Sequence, residues 1–319
     1  MKLALAAVVA FACAVPLSEA WSQAYPTRPI RLIAPFPPGG GTDLLARIIA
    51  VPVGEALGQT VVVDNRPGAG GALGAELGAH AERDGHTLVL VSASYAATGA
   101  YQKLTFDPIN DIQPVILIGT TGLALAVHPS VPVKHTADLV ALAKTRPGKL
   151  NYASVGPGSA VHLAFELFKL MSKTNFVHVP YKGGGPALNA LMAGEVQASM
   201  TSMVPTIPHA RAGKVRLLAI TPAKRSPALP DTPTVAETIP GFDVTHWYGI
   251  WGPKGIRREI VLRWNKEVAK VLATEEIKAR TRGEGLELAG GPPAEFGAVV
   301  RRDVEKWRRV IREAKIARH

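Results

Sequence analysis

The stretch IRLIAPFPPGGGTDLLARIIA, residues 30–50, carries the pattern that decides the fold. An apolar run that reads as a buried strand ends in two prolines and three glycines, and helix-spaced apolar residues follow from about Asp43. The same unit returns twice. SVGPGSA (154–160) joins a strand-like run at 149–153 to the helical AVHLAFELFKLM (160–171), and KGGGPA (182–187) joins 176–180 to the helical ALNALMAGE (187–195). Further strand-like runs stand at 60–63, 87–91, 115–118, 123–127 and 215–220, with a small-residue helix beginning near Gly71. This alternation predicts an α/β chain whose parallel strands are covered by helices on both faces. Pro52 interrupts the helical pattern at 43–57, where an interior proline costs ~3 kcal/mol, so a kink or break is expected there. Residues 221–241 read as an ordered, proline-punctuated connector, and two long helical patterns close the chain.

The three glycine loops share one chemistry. A helix start leaves backbone N–H groups unpaired and carries the positive end of the helix dipole, and glycine lets a ligand approach that backbone. Anions are therefore favoured, yet the nucleotide motifs fail by position. Leu44 stands where GGGTDL needs the last glycine of G-x-G-x-x-G, and Val161 fails in the same way after Gly156 and Gly158. Lys182 precedes its glycines, so no P-loop forms, and Gly-Pro-Gly-Ser-Ala around Ser159 is not a nucleophile elbow. Ser159 and His162 are spaced as a helix cap and its neighbour rather than as a catalytic pair. The histidines show no metal-ligand spacing, so neither a metal nor a cofactor is expected.

The 319 residues are 47% hydrophobic and 19% charged, which is enough apolar material for one large domain or two medium ones. Lys2, the apolar run to Pro16 and the small residues Ser22 and Ala24 read as a secretory signal, with cleavage expected after Ala24. Cys13 is the only cysteine and lies within it. AFAC (10–13) is a poor lipidation site as the alternative. An exported chain without disulfides points to the periplasm. The net charge of +11 favours anionic partners, and residues 301–319 alone carry +5. That segment reads as an amphipathic helix with Val300, Val304, Trp307 and Ile311 on its apolar face. No aromatic residues interleave the basic ones, and export argues further against nucleic acid.

Six segments, in order and spacing, resemble the receptor family of tripartite tricarboxylate transporters, the Bug-type periplasmic solute-binding proteins. They are YPTRPIRLIAPFPPGGGTD, VVVDNRPGAGG, GKLNYASVGPGSAVHLAFELF, VHVPYKGGGPALNALMAGEV, PHARAGKVRLLAITPAKRSPALPDTPTVAE and GFDVTHWYGIWGPKG. The resemblance implies a type II periplasmic binding protein of two α/β lobes, each a sheet flanked by helices. Lobe one would be residues 25–122 and 247–319, lobe two 123–246, with two crossing segments at the hinge. It implies a receptor that captures a small organic acid between the lobes, as a monomer, and hands it to membrane transporter subunits. A sensor partner is the alternative, and an enzyme on the same scaffold the weaker one.

Carried over by position, the first loop offers Phe36, Gly39, Gly40, Thr42 and Asp43. The second offers Ser154, Gly156, Gly158, Ser159 and His162, and the third Lys182 and Gly183. Ser92 and Ser94 would face the cleft from a strand end, and Trp247 would wall it at the hinge. Where many members carry an Asp-Asn-like pair this chain has Thr201 and Ser202. That removes a negative charge and disfavours an ammonium-bearing ligand.

Overall fold

The computed structural model describes residues 25–282, 285–313 and 316, so the expected signal segment, its cleavage site and Cys13 lie outside the described residues. Strand β1 (Ile30–Ala34) leads through the first glycine loop into α1 (Gly41–Leu57). Next come β2 (Val61–Asn65), α2 (Ala72–Ala79), β3 (Thr87–Ser92) and α3 (Ser94–Tyr101). The long β4 (Ile112–Val127) is followed by α4 (Thr136–Thr145), β5 (Asn151–Ser154), α5 (Ala160–Ser172), β6 (Val177–Pro180) and α6 (Gly184–Ala193). Then β7 (Ala198–Ser202), α7 (Met203–Arg211) and β8 (Arg216–Ile220) precede the proline-rich connector. The chain returns through β9 (Thr245–Pro253), α8 (Arg258–Ala273), α9 (Glu275–Arg282), β10 (Glu287–Leu288) and α10 (Pro293–Glu313).

The strands form one path, β2-β1-β3-β9-β4-β7-β5-β6, with β8 and β10 also paired to β4. Pairs among β1, β2 and β3, and among β5, β6 and β7, are parallel, as the alternation predicts. The pairs made by β4 and β9 are antiparallel, so the sheet is mixed. The two apolar runs at 115–118 and 123–127 are one strand. Its partners change in mid-course: Gly122 pairs with Thr245 of β9, and Leu123 pairs with Ser202 of β7. Two half-sheets therefore share β4.

Thr221, fully buried, ties both crossings together. Its hydroxyl accepts from Leu123 N at 2.8 Å and donates to the Val244 carbonyl at 2.7 Å, while its own N–H reaches the Leu123 carbonyl.

Helix α1 runs through Pro52 without a break, so of the kink or break expected there the break does not occur. Ile49, Val53 and Leu57 are buried on either side of the proline in the core shared with α8, and that packing holds the helix across the lost hydrogen bond. Helix α10 lays Phe296, Val300, Val304, Trp307 and Ile311 against β9 and α3 and turns its arginines to solvent.

Candidate ligand cleft

Five helix starts converge between the half-sheets. From the first half come the starts of α1 (Gly40, Gly41, Thr42) and α3 (Ser94). From the second come the starts of α5 (Val161), α6 (Gly184) and α7 (Ser202, Pro205). Ser92, Thr201, Leu123, Val155 and Phe36 complete the sides, and His246 and Tyr248 of β9 form the floor. The cavity left between them is small, about 40 Å³, well under the roughly 300–1,000 Å³ of an open small-molecule site. None of the lining residues is Lys, Arg, Asp or Glu.

The two sides touch. Ala160 N donates to Ser94 Oγ at 3.3 Å, and Ser202 Oγ shares a hydrogen bond of 2.6 Å with the Tyr248 hydroxyl. The glycine runs 39–41 and 183–185 face each other so closely that a Cβ added to Gly185 would stand 2.7 Å from the Pro38 carbonyl. A Cβ on Gly41 would stand 2.7 Å from Ser202 Oγ and nearer still to the Tyr248 hydroxyl. The glycines are thus required by the opposite jaw, and not only by a ligand.

Asp43 does not face the pocket. Its carboxylate, 2% exposed, accepts from Gly39 N, Arg47 Nε and Asn65 Nδ2, each at 3.0 Å. Burial pushes this carboxyl up, and the three donors with the Arg47 charge outweigh it, so it sits below the usual carboxylate range. It is the clamp that shapes the first glycine loop.

Of the residues proposed from sequence, Phe36, Gly40, Thr42, Ser92, Ser94, Thr201 and Ser202 line the pocket together. Gly39 and Gly183 lie one residue outside it. Ser154, Gly156, Gly158, Ser159 and His162 form the loop behind it. Ser154 Oγ bonds His178 Nε2 at 2.6 Å. Ser159 Oγ donates to the Gly156 carbonyl at 2.7 Å and accepts from His162 N, while His162 Nδ1 accepts from Gly158 N. Ser159 is the helix cap the spacing suggested. Gly156 and Lys182 line a neighbouring opening that shares Phe36 and Val155 with the pocket.

Trp247 is a correction. It does not wall the cleft. Its ring is fully buried, its Nε1 donates to Asp303 Oδ2 at 2.6 Å, and it packs edge-on against Phe296. Strand parity explains the error: successive side chains of β9 face opposite ways, so Trp247 takes the α10 side and His246 and Tyr248 take the cleft. Alternation around a core tryptophan is the signal that finds these two missed residues. The other missed lining residues, Gly41, Leu123, Val155, Val161, Gly184 and Pro205, are neighbours of loops already singled out.

A Trp247→Phe variant is expected to lose about 1–3 kcal/mol of stability, since the buried Asp303 carboxylate loses its donor, with ligand affinity unchanged. Chemical denaturation and a binding titration on the same protein check both.

The model of the tripartite tricarboxylate transporter family receptor, TctC, matches residues 45–316. This chain belongs to that receptor family. A UPF0065 protein in the tcbD-tcbE intergenic region of Pseudomonas sp. strain P51 is 37% identical over 92% of this chain and 88% of its own length. BugT of Bordetella pertussis is 34% identical over 94% and 92%. Among solved structures, R. palustris Rpa4515 with adipate is 38% identical, with a TM-score of 0.88, covering 92% of this chain and 99% of that one. MatC of Rhodopseudomonas palustris with bound malate is 32% identical, with a TM-score of 0.86, covering 90% and 100%. The receptor has the α/β periplasmic-binding-protein fold of these relatives. Among the described residues no helix is long and apolar enough to cross a membrane.

Proposed function

We propose that this receptor captures a small organic carboxylate in the periplasm and closes around it, for delivery to the membrane subunits of a tripartite tricarboxylate-type transporter. The carrying observation is the convergence of five helix starts on a pocket lined by no charged residue except, when protonated, His246. Fixed N–H groups and helix dipoles favour an anion there without a lysine or arginine, and closure removes the water that would screen them. The adipate and malate held by two relatives support the ligand class. Residues 25–122 with 247–319, and 123–246, act as the two lobes, hinged where β4 changes partners and where the chain enters β9. The receptor works as a monomer.

Binding rather than catalysis is supported by Ser159, whose hydroxyl is committed to a backbone carbonyl. It is not aimed at a base. Thr201 and Ser202 present hydroxyls and no carboxylate to the pocket, so an ammonium group finds no counter-charge there.

Thermal unfolding tests the reading. At a hundredfold excess over Kd a ligand adds about 2.7 kcal/mol, which shifts Tm by about 5 °C for a chain of this size. Adipate or malate is expected to produce such a shift and aspartate is not. Silence across a panel of organic acids overturns carboxylate capture; a larger shift with aspartate overturns the exclusion of ammonium ligands.

A further inference from the structure

Where α3 and α10 lie side by side, a groove of about 840 Å³ opens away from the ligand cleft. Ala100, Tyr101 and Ile311, all buried, form its floor, and the exposed Lys103, Arg308 and Arg312 stand at its rim. No aspartate or glutamate lines it. None of the three cations forms a salt bridge or a side-chain hydrogen bond among the described residues, whereas Arg302, earlier on α10, is held by Asp303. Two sequence patterns build the arrangement. The apolar stripe of α10 brings Ile311 into the core that holds Ala100 and Tyr101 of α3, and the i, i+4 spacing sets Arg308 and Arg312 on one face beside it.

Like charges at that spacing weaken a helix, and no ion pair among the described residues offsets the cost. Asp107 feels Arg308 through space but is already held by Ile109 N and Asn110 N. The carboxyl ends of α3 and α10 each bring roughly half a negative charge, against three full positive ones. The rim therefore attracts anions, and the shape of the groove selects among them. A flat lipid headgroup surface reaches only the rim. A segment that carries carboxylates and apolar side chains together meets both the rim and the apolar floor. Tyr101 connects the groove to the cleft. Its ring abuts Gly158 so closely that a Cβ there would collide with it, and it meets the His162 ring edge-on at 5.9 Å. Gly158 and His162 belong to the opposite half, so contact between the halves shapes the groove floor.

We propose that this groove is the docking site for an acidic, partly apolar segment of the membrane partner, and that it favours the receptor closed on its ligand. This rests on the capture reading above and adds the surface through which the loaded receptor is recognised. A partner distinguishes loaded from empty receptor only by binding the closed state more tightly, and the Tyr101 floor gives it that difference.

The probes are a short fluorescent peptide of alternating glutamate and leucine and its glutamine counterpart, followed by anisotropy on the full-length mature receptor at low ionic strength, with and without saturating adipate. The glutamate peptide is expected to bind at least about tenfold more tightly than the glutamine one, to lose at least about tenfold when Arg308→Glu and Arg312→Glu are combined, and to weaken as salt is raised. Arg301→Glu with Arg309→Glu changes the net charge equally outside the groove and is expected to cost less than about threefold. Adipate is expected to tighten the glutamate peptide by about threefold or more. Adipate affinity by calorimetry is expected to be unchanged in the Arg308→Glu, Arg312→Glu protein, since neither residue lines the cleft; this also shows that the variant folds. Equal binding of the two peptides, equal losses from the two charge reversals, or a peptide affinity indifferent to bound adipate overturns the proposal while carboxylate capture stands. Binding to phosphatidylglycerol vesicles that needs Arg308 and Arg312, with the peptide silent, does the same. If every acid of the thermal panel is silent, the capture reading fails and takes the closed-state preference with it, whatever the peptides do.

Discussion

Gly41→Ala is expected to weaken carboxylate capture by roughly 10- to 100-fold without unfolding the receptor. The added methyl group would enter the space held by the Tyr248 hydroxyl and Ser202 Oγ, the pair that joins the two halves across the cleft. Tyr248 is 1% exposed and its ring cannot swing aside without disturbing the core behind it. Overpacking of this kind costs about 1–3 kcal/mol, and each 1.4 kcal/mol is tenfold in affinity. The clash with Tyr248 lies within one lobe and destabilises the free protein as well, whereas the clash with Ser202, which belongs to the opposite jaw, adds a cost that falls on the closed state. Alanine suits the first position of a helix better than glycine does, so α1 itself is not weakened. Titration with adipate, together with a melt of the free protein, separates the two effects. Wild-type affinity in the variant would show that the jaws do not need this contact to close on ligand.

A second large effect concerns acid. His246 has a pKa near 3 in the folded chain against an ordinary value of 6.5, because burial penalises the charged ring. Between those values the unfolded chain binds a proton that the folded chain does not. Stability therefore rises with pH across this window and is lost as pH falls from about 6.5 towards 3, at about 1.4 kcal/mol per unit. From pH 6.5 to 4.5 the loss is about 2–3 kcal/mol. Glu237, held down to about 2 by its bonds with Arg225 and Thr234 N, gives up its contribution only at more acid pH. The same holds for Asp43, clamped by Arg47 and the loop. Denaturant midpoints at half-unit steps of pH are expected to show the slope in wild type and a flatter line in His246→Gln. An equal slope in both proteins would place the acid sensitivity elsewhere.

The three glycine loops were legible because each is punctuated on both sides, by a strand before and an amphipathic helix after. Their convergence was legible only through the family resemblance, since spacing does not say which half-sheet a loop serves. Strand β7 (ASMTS) and helix α3 (SYAATGAY) went unread. The first is short and mixes hydroxyls with apolar residues, and the second is buried on all sides, so neither shows a period. Strand β4 was read as two runs because Gly119-Thr-Thr-Gly122 looks like a turn. Those small residues instead mark places where neighbours crowd in, β10 against Gly119 and the Pro222 ring against Gly122. Residues picked from the loops are brought to one pocket by the fold, while Trp247 turns away from it because of side-chain direction. An aromatic cluster next to a hinge names the strand; parity decides which of its residues meets the ligand.

The return of the chain into its first half has a consequence for how the molecule assembles. Strand β3 has no partner on one side until β9 arrives, and the core around Trp247 is completed only when Phe296 and Asp303 of α10 reach it. More than a hundred residues, an entire second half-sheet, come off the ribosome between β4 and β9. The amino-terminal strands consequently cannot complete a core until the last helix has been made, and their contacts are among the longest in sequence that the fold contains. Such long-range pairing slows folding. It leaves the nascent chain open for as long as its carboxyl end is missing.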